Sequence, residues 1–305
     1  MSNNQKILVI IAFRGIGDLI YHLPLLRSLH ATYNAKLIIL SNKVNNSKHV
    51  YKNENFYKKI VTFDNTRLKY FNQAKKTLKF KRLLNSFNCD KIYLTSNARR
   101  LVLPVIMSNA KKKVIFGKGF LPLLKQRKYR NLTSSKKLFA YTKELNLKKK
   151  IYNFNLNKPK TKKENKKKVL INIDSHHNQN NWKLENYIKI IEKLMKKKFY
   201  IYINFKNINN LKKKFPKKII KSNNIEFTNK KNVSKLIDII NQCKYIIGNE
   251  SGPICLGSSL KKIVHTIYLP IHTEPESILI NPSNKYYNVK NLSDKKIIKK
   301  ILNSL

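Results

Sequence analysis

Three cysteines, eight arginines, one tryptophan and no long apolar run are what this sequence has least of, and each scarcity removes a class of protein. Cys89, Cys243 and Cys255 are odd in number and show no CxxC spacing, so neither a disulfide framework nor a zinc site is expected, and buried thiols in a reducing compartment are. No segment approaches the roughly 20 apolar residues that cross a bilayer, and the first six residues are polar, so no membrane span or leader is expected and the protein is expected in the cytoplasm. Acidic residues are equally short: 15 Asp and Glu stand against 65 Lys and Arg, a formal charge of +50. Such an excess suggests a nucleic-acid binder. Yet only Arg14, Arg27, Arg67, Arg82, Arg99, Arg100, Arg127 and Arg130 supply the planar fork that reads phosphates and base edges. The excess is lysine, accompanied by Asn and Ile, the pattern that A/T-rich codon usage produces. Mutational drift at solvated positions is the first reading of that excess; the other is an anionic partner, with a membrane surface ahead of nucleic acid.

What is present is the material of a globular protein. Hydrophobic residues make up 42% of 305 residues, enough for two domains with cores of their own. Apolar runs at 7–13, 37–40, 59–63, 91–95 and 113–116 are continuous rather than alternating, which predicts strands covered on both faces. Residues 74–87 carry the spacing of a crossover helix. A segment with seven lysines, 157–168, reads as a linker, and a second series follows: strands at 169–173, 199–204, 225–227, 245–248 and 263–269, with helical stripes at 184–196 and 233–243. The last residues, 293–305, predict a docked helix with Ser293 as its N-cap. The fold class expected is α/β, with two doubly wound Rossmann-like domains (1–156 and 169–305, joined by 157–168) facing across a cleft.

Three loops break the pattern. The first, Arg14-Gly15-Ile16-Gly17-Asp18-Leu19, leaves a strand through two closely spaced glycines. It is not a dinucleotide fingerprint, because Ile20 replaces the third glycine and Leu40-Ser41-Asn42 ends the second strand without an acid; nor does a Gly-Lys-Ser/Thr follow. Asp18 has two readings, a cap for the turn or a general base at the sheet's mouth. Pro24 predicts that the main helix starts there, leaving Asp18 in an irregular turn. His22 and His30 read as packing or surface residues.

The second loop, Gly248-Asn249-Glu250-Ser251-Gly252-Pro253, runs from a strand into a segment with proline at a first helical position. Ser251 reads as the cap. Open amides at such a helix start attract phosphate, and Glu250 would accept hydrogen bonds from sugar hydroxyls. An ordinary capped loop explains the spacing equally well. In the third, Asp174-Ser175-His176-His177-Asn178-Gln179-Asn180-Asn181-Trp182, the adjacent histidines lack partners at metal-ligand spacing, and Trp182 should pack at the helix entry.

Taken in order, Arg14-Gly15-Ile16-Gly17-Asp18-Leu19, Leu23-Pro24-Leu25-Leu26-Arg27-Ser28-Leu29, Trp182 to Tyr187, Gly248 to Pro253 and Thr273-Glu274-Pro275 resemble glycosyltransferase family nine, the lipopolysaccharide heptosyltransferases. The resemblance implies a GT-B fold, with acceptor bound mainly in the first lobe, nucleotide sugar mainly in the second, and a final helix packing back toward the first. It implies inverting, metal-independent transfer of a heptose-like sugar from an ADP-heptose-type donor to a lipopolysaccharide core or other cell-surface glycan. The family's base falls on Asp18, with Arg14, Gly15 and Gly17 shaping the acceptor turn. Donor contacts fall on Ser175, Asn180, Glu250, Ser251, Gly252 and Pro253. Two departures stand out: Asn180 and Asn181 occupy the place of a usual Lys or Arg, and Cys255 the place of a frequent His. Lys183, His176 or His177 then substitute for the missing charge, or the donor differs.

The expected partners are a nucleotide-sugar co-substrate, a lipid-linked glycan acceptor and an anionic membrane surface at the inner face of the cytoplasmic membrane, with no cofactor and no metal. The rival reading is a non-catalytic polybasic binding protein on the same scaffold, in which Asp18 merely caps.

Overall fold

The structure, a computed structural model, describes residues 5–64, 73–95, 99–116, 134–157, 165–174, 181–205, 212–229, 232–269 and 275–305. The chain divides into two compact units, Met1–Phe154 and Asn155–Leu305.

In the first unit, β1 (Ile7–Ile11), β2 (Leu37–Asn42), β3 (Tyr57–Phe63), β4 (Lys91–Leu94) and β5 (Lys112–Ile115) form a wholly parallel sheet in the order β3-β2-β1-β4-β5. Every residue of β1 and β2 is buried, the consequence of helices on both faces and the reason their sequences are unbroken apolar runs. Helices α1 (Ile16–Tyr33), α2 (Ser47–Val50), α3 (Gln73–Ser86), α4 (Arg99–Ile106) and α5 (Ser134–Glu144) belong to this unit. The segment after α5 is stitched to α1: Ser28 Oγ and the Ile151 amide are 2.7 Å apart, and Arg27 donates to the Asn153 carbonyl at 3.1 Å while pairing with the buried Glu54 at 2.9 Å.

Helix α1 corrects the expectation that a helix begins at Pro24. It begins eight residues earlier, with Pro24 in its interior. A mid-helix proline costs about 3 kcal/mol. Burial of Leu19, Ile20, Leu23, Leu25, Leu26 and Leu29, each fully enclosed, contributes about 2 kcal/mol per side chain and decides the outcome.

In the second unit, β6 (Asn165–Asn172), β7 (Tyr200–Phe205), β8 (Ile225–Asn229), β9 (Cys243–Asn249), β10 (Ile263–Tyr268) and β11 (Lys285–Asn288) form a second parallel sheet, ordered β11-β10-β9-β6-β7-β8. Its helices are α6 (Leu184–Lys196), α7 (Lys217–Ile220), α8 (Val233–Gln242), α9 (Gly252–Ser259) and α10 (Asp294–Leu302). Strand β6 reaches back into the lysine-rich stretch expected as linker: Asn165 already pairs with Cys243, and the register shifts before Val169. Residues 158–164 of that stretch lie outside the described residues. Helix α10 is capped by Ser293, whose Oγ accepts from the Lys296 amide, and buries Ile297, Ile298, Ile301 and Leu302 in the core of its own unit. Counted within each unit, the strand orders are 3-2-1-4-5 and 3-2-1-4-5-6, the doubly wound arrangement whose ligands lie beyond the strands' carboxyl ends where the order reverses.

Candidate active site

Those reversal points fall at β1/β4 in the first unit and β6/β9 in the second. The two loops singled out in the sequence sit there, one after β1 and one after β9.

After β1 the chain turns through Gly15 and enters α1 with Asp18 in its first turn. The Gly15 amide donates to Asp18 Oδ2 at 2.9 Å. A carboxylate at this position satisfies a helix-start donor and faces the positive end of the helix dipole. Glycine is required at position 15 for space, since a Cβ there would lie 2.7 Å from Asp18 Oδ2. Asp18 is half-buried, Arg14 and Gly15 are exposed, and Gly17 is half-buried. Asp18 therefore does cap, and its side chain is only half-buried.

Of the two histidines that read from the sequence as packing or surface residues, His22 packs. His22 is fully buried, one helical turn from Asp18. Its Nδ1 donates to the Asp18 carbonyl oxygen at 2.6 Å, which fixes the tautomer because a carbonyl only accepts. Its Nε2 lies 2.8 Å from the hydroxyl of Thr95, the residue after β4, and that hydroxyl is 3.0 Å from the Ile10 carbonyl in β1. His22 thus ties α1 to both strands of the reversal point. Burial drops its pKa to about 4, against a smaller opposing pull from the Asp18 carbonyl, so the ring is neutral at pH 7. The spacing of Asp18 and His22, i and i+4, was the available signal; placing the helix start at Pro24 concealed it.

In the second unit, Gly248 is enforced by close approach, because a Cβ would run into the main-chain oxygen of Asn172. Buried asparagines then join the strand ends. Asn204 Nδ2 donates to Asn172 Oδ1 at 2.7 Å, Asn172 Nδ2 donates to Ser251 Oγ at 2.9 Å and to the Asp174 carbonyl at 2.9 Å, and Asn249 Nδ2 donates to the Ile173 carbonyl. Asn249 Oδ1 accepts from the Trp182 amide at 2.9 Å. Trp182 packs edge-on against Tyr187 at the entry to α6 and donates to Asp294 at 2.7 Å.

Ser251 occupies the N-cap position of α9, but the cap expected of its side chain is not made: the hydroxyl turns back to donate to the Asn249 carbonyl at 2.8 Å. The asparagine lattice holds it there, so the serine locks the loop instead of closing the helix end. Gly252 and Pro253 open α9. Glu250 reaches away, its Oε1 accepting from the Ser277 amide at 2.9 Å and hydroxyl at 3.3 Å, which pins the 3-10 turn Glu276–Leu279. Cys255 is buried in α9, and all three cysteines are free thiols. Burial pushes the Cys89 thiol up to about 11. Asn181 is half-buried beside Asn249 at 3.4 Å; Ser175, His176, His177 and Asn180 lie outside the described residues, as do Thr273 and Glu274.

A profile of glycosyltransferase family 9 (heptosyltransferase) matches residues 122–300, more than half of the chain. The chain belongs to glycosyltransferase family 9. Solved structures agree in fold over the whole length. ADP-heptose lipopolysaccharide heptosyltransferase II of E. coli superimposes with a TM-score of 0.72 at 12% identity, covering 98% of each chain. The E. coli heptosyltransferase WaaC with ADP gives 0.70 at 13%, covering 99% of this chain and 100% of that one. A family 9 glycosyl transferase from Veillonella parvula gives 0.71 at 13%, covering 100% and 91%. No curated protein sequence matches. The family 9 chain is thus an α/β glycosyltransferase of GT-B type, and among its described residues no helix is long and apolar enough to cross a membrane.

Proposed function

We propose that this family 9 enzyme transfers a heptose-like sugar from a nucleotide-diphosphate donor to a glycan acceptor, inverting the anomeric centre, with Asp18 as general base. The observation that carries the reading is that the Asp18 turn and the Ser251 loop each occupy the strand-order reversal point of a separate Rossmann-like sheet. A solved relative of the same fold is a heptosyltransferase with ADP, which makes an ADP-activated sugar the first donor to test.

In the proposed step, Asp18 takes the proton of an acceptor hydroxyl as that oxygen forms a bond to the donor's anomeric carbon. The bond to the diphosphate oxygen breaks on the opposite face, and the nucleoside diphosphate leaves with the electron pair. The acceptor belongs to the unit that carries Asp18, Arg14, Gly15 and Gly17, the donor to the unit that carries the loop 250–253. The start of α9 offers main-chain amides and its dipole to the departing charge, supported by a serine that leaves the helix end uncapped. Ser175 and Asn180 are proposed donor contacts on the resemblance alone. Glu250, whose Oε1 is engaged by Ser277, acts by holding the 276–279 turn and the loop in one shape. No cofactor enters the proposed reaction. Its acceptor is a lipid-linked glycan of the cell surface, which places the enzyme at the inner face of the cytoplasmic membrane. The test is a thermal-shift panel of nucleotide sugars followed by transfer assays: an ADP-activated heptose should raise the melting temperature and turn over, since ligand binding to the folded state stabilises it. No shift with any nucleotide sugar would leave the non-catalytic reading standing.

A further inference from the structure

Helix α4 is apolar on both sides. Its inner side, Leu101, Val102 and Val105, is buried with Phe80 and Leu84 of α3 in the core under the first sheet. Its outer side leaves Leu103 51%, Ile106 37% and Met107 39% exposed. The Met107 amide donates to the Leu103 carbonyl at 3.0 Å, continuing the helical spiral, so the three side chains at i, i+3 and i+4 form one ridge. On the outer side of α3, Leu78 is 46% exposed between Lys75, Lys79 and Arg82, which are exposed as well. Beyond α4, Lys111 and Lys112 are exposed, and Lys113 donates to the Ile106 carbonyl at 2.9 Å, which brings an ammonium to the end of the ridge. Residues 73–89 and 99–116 hold ten Lys and Arg and no Asp or Glu.

We propose that this face of the first unit, with Leu103, Ile106 and Met107 at its centre and the lysines of α3 and of the 111–113 turn around it, docks the protein on an anionic lipid surface. Among the described residues these exposed apolar side chains, on a helix whose other side already fills a core, serve no packing within the unit, and such patches mark contact sites. The rim is overwhelmingly cationic, with Asp90 beside Lys112 the one acid next to it among the described residues, which fits the anionic headgroups of a bilayer, and the headgroup–acyl boundary is where an apolar ridge and a cationic rim are satisfied together. A nucleic acid would use the rim and gain nothing from the ridge. Eight residues are too few to span, so the helix lies along the surface. This inference goes beyond the proposed reaction and does not depend on it.

The test is sedimentation of the full chain, without substrates, with vesicles of phosphatidylglycerol and phosphatidylethanolamine or of phosphatidylcholine alone, at 150 mM salt. The parent should pellet with the anionic vesicles and not with the neutral ones. Leu103→Ser/Ile106→Ser/Met107→Ser, which leaves the charge unchanged, should bind anionic vesicles at least tenfold more weakly with an unaltered melting temperature. Leu103→Glu, a single change at an exposed position, should fall in the same direction and guards against misfolding of the triple variant. Equal pelleting of parent and triple variant would assign any binding to charge alone and overturn the proposal. So would a parent that ignores anionic vesicles but self-associates, or binds RNA, through a ridge that the triple variant has lost.

Discussion

The imidazole of His22 donates from Nδ1 to the main-chain oxygen of Asp18 at 2.6 Å, and its other nitrogen lies 2.8 Å from Thr95, so the turn that carries Asp18 is anchored to the end of a different strand. The Thr95 hydroxyl has one proton for two acceptors, His22 Nε2 and the Ile10 carbonyl at 3.0 Å. Replacing it with the isosteric Thr95→Val leaves two buried acceptors without that donor. The expected loss is about 1–3 kcal/mol, read as a lower urea midpoint at unchanged slope. An unchanged midpoint would show that the hydroxyl link does not hold the turn.

Two buried histidines make stability depend on pH. His22 and His265 are both lowered to about 4 by desolvation, with Lys285 adding to the effect on His265, which also meets Tyr287 and Ser304 at 2.9 and 3.3 Å. Their folded-state pKa lies below the unfolded value near 6.5, so the unfolded chain takes up more protons between pH 4 and 6.5. Stability is therefore complete above about pH 6.5 and falls toward pH 4, by on the order of 3 kcal/mol for each ring. Urea titrations at half-unit steps should show that slope, and His22→Gln should remove its share. A midpoint independent of pH from 7 to 4 contradicts the assignment.

Gly15→Ala should displace the Asp18 carboxylate, because the new methyl would lie 2.7 Å from Oδ2 in the present geometry. A shift approaching 1 Å at a reacting group costs about a hundredfold in rate. Turnover is expected to drop by at least tenfold with donor affinity retained, measured by transfer assay and calorimetry. Full activity would show that the carboxylate's position is immaterial.

Glu250→Ala should free the 276–279 turn from its two hydrogen bonds and weaken donor binding by about tenfold, the equivalent of about 1.4 kcal/mol. Glu250→Gln keeps an acceptor for the Ser277 amide and should restore most of the affinity. If Gln is as damaging as Ala, the carboxylate's charge matters and the positioning role is wrong.

Much of this was legible in the sequence, for a physical reason. Parallel strands buried on both faces must be continuous apolar runs, and β1, β2, β4 and β7 announce themselves that way; among the described strands, the edge strand Lys285-Tyr286-Tyr287-Asn288 was not anticipated. The loops after β1 and β9 were legible because glycine is needed where backbones crowd, as at Gly248 against Asn172. Helix α1 was misplaced because the local rule against Pro24 was overruled by tertiary burial. That error hid the i, i+4 link of His22 to Asp18, and the asparagine lattice of Asn172, Asn204 and Asn249 was hidden because residues far apart in the chain meet only once β6, β7 and β9 are side by side. Ser251 obeyed the N-cap pattern in position but not in bonding, since Asn172 offers its hydroxyl a second partner.

Asp18→Asn tests the central claim most directly, because Asn still accepts from the Gly15 amide and so keeps the cap while removing the base. With an ADP-activated heptose and an acceptor that the parent uses, turnover should fall by roughly two to four orders of magnitude, with the donor dissociation constant unchanged by calorimetry and the melting temperature held. Turnover equal to the parent's would contradict the assignment of Asp18 as the base.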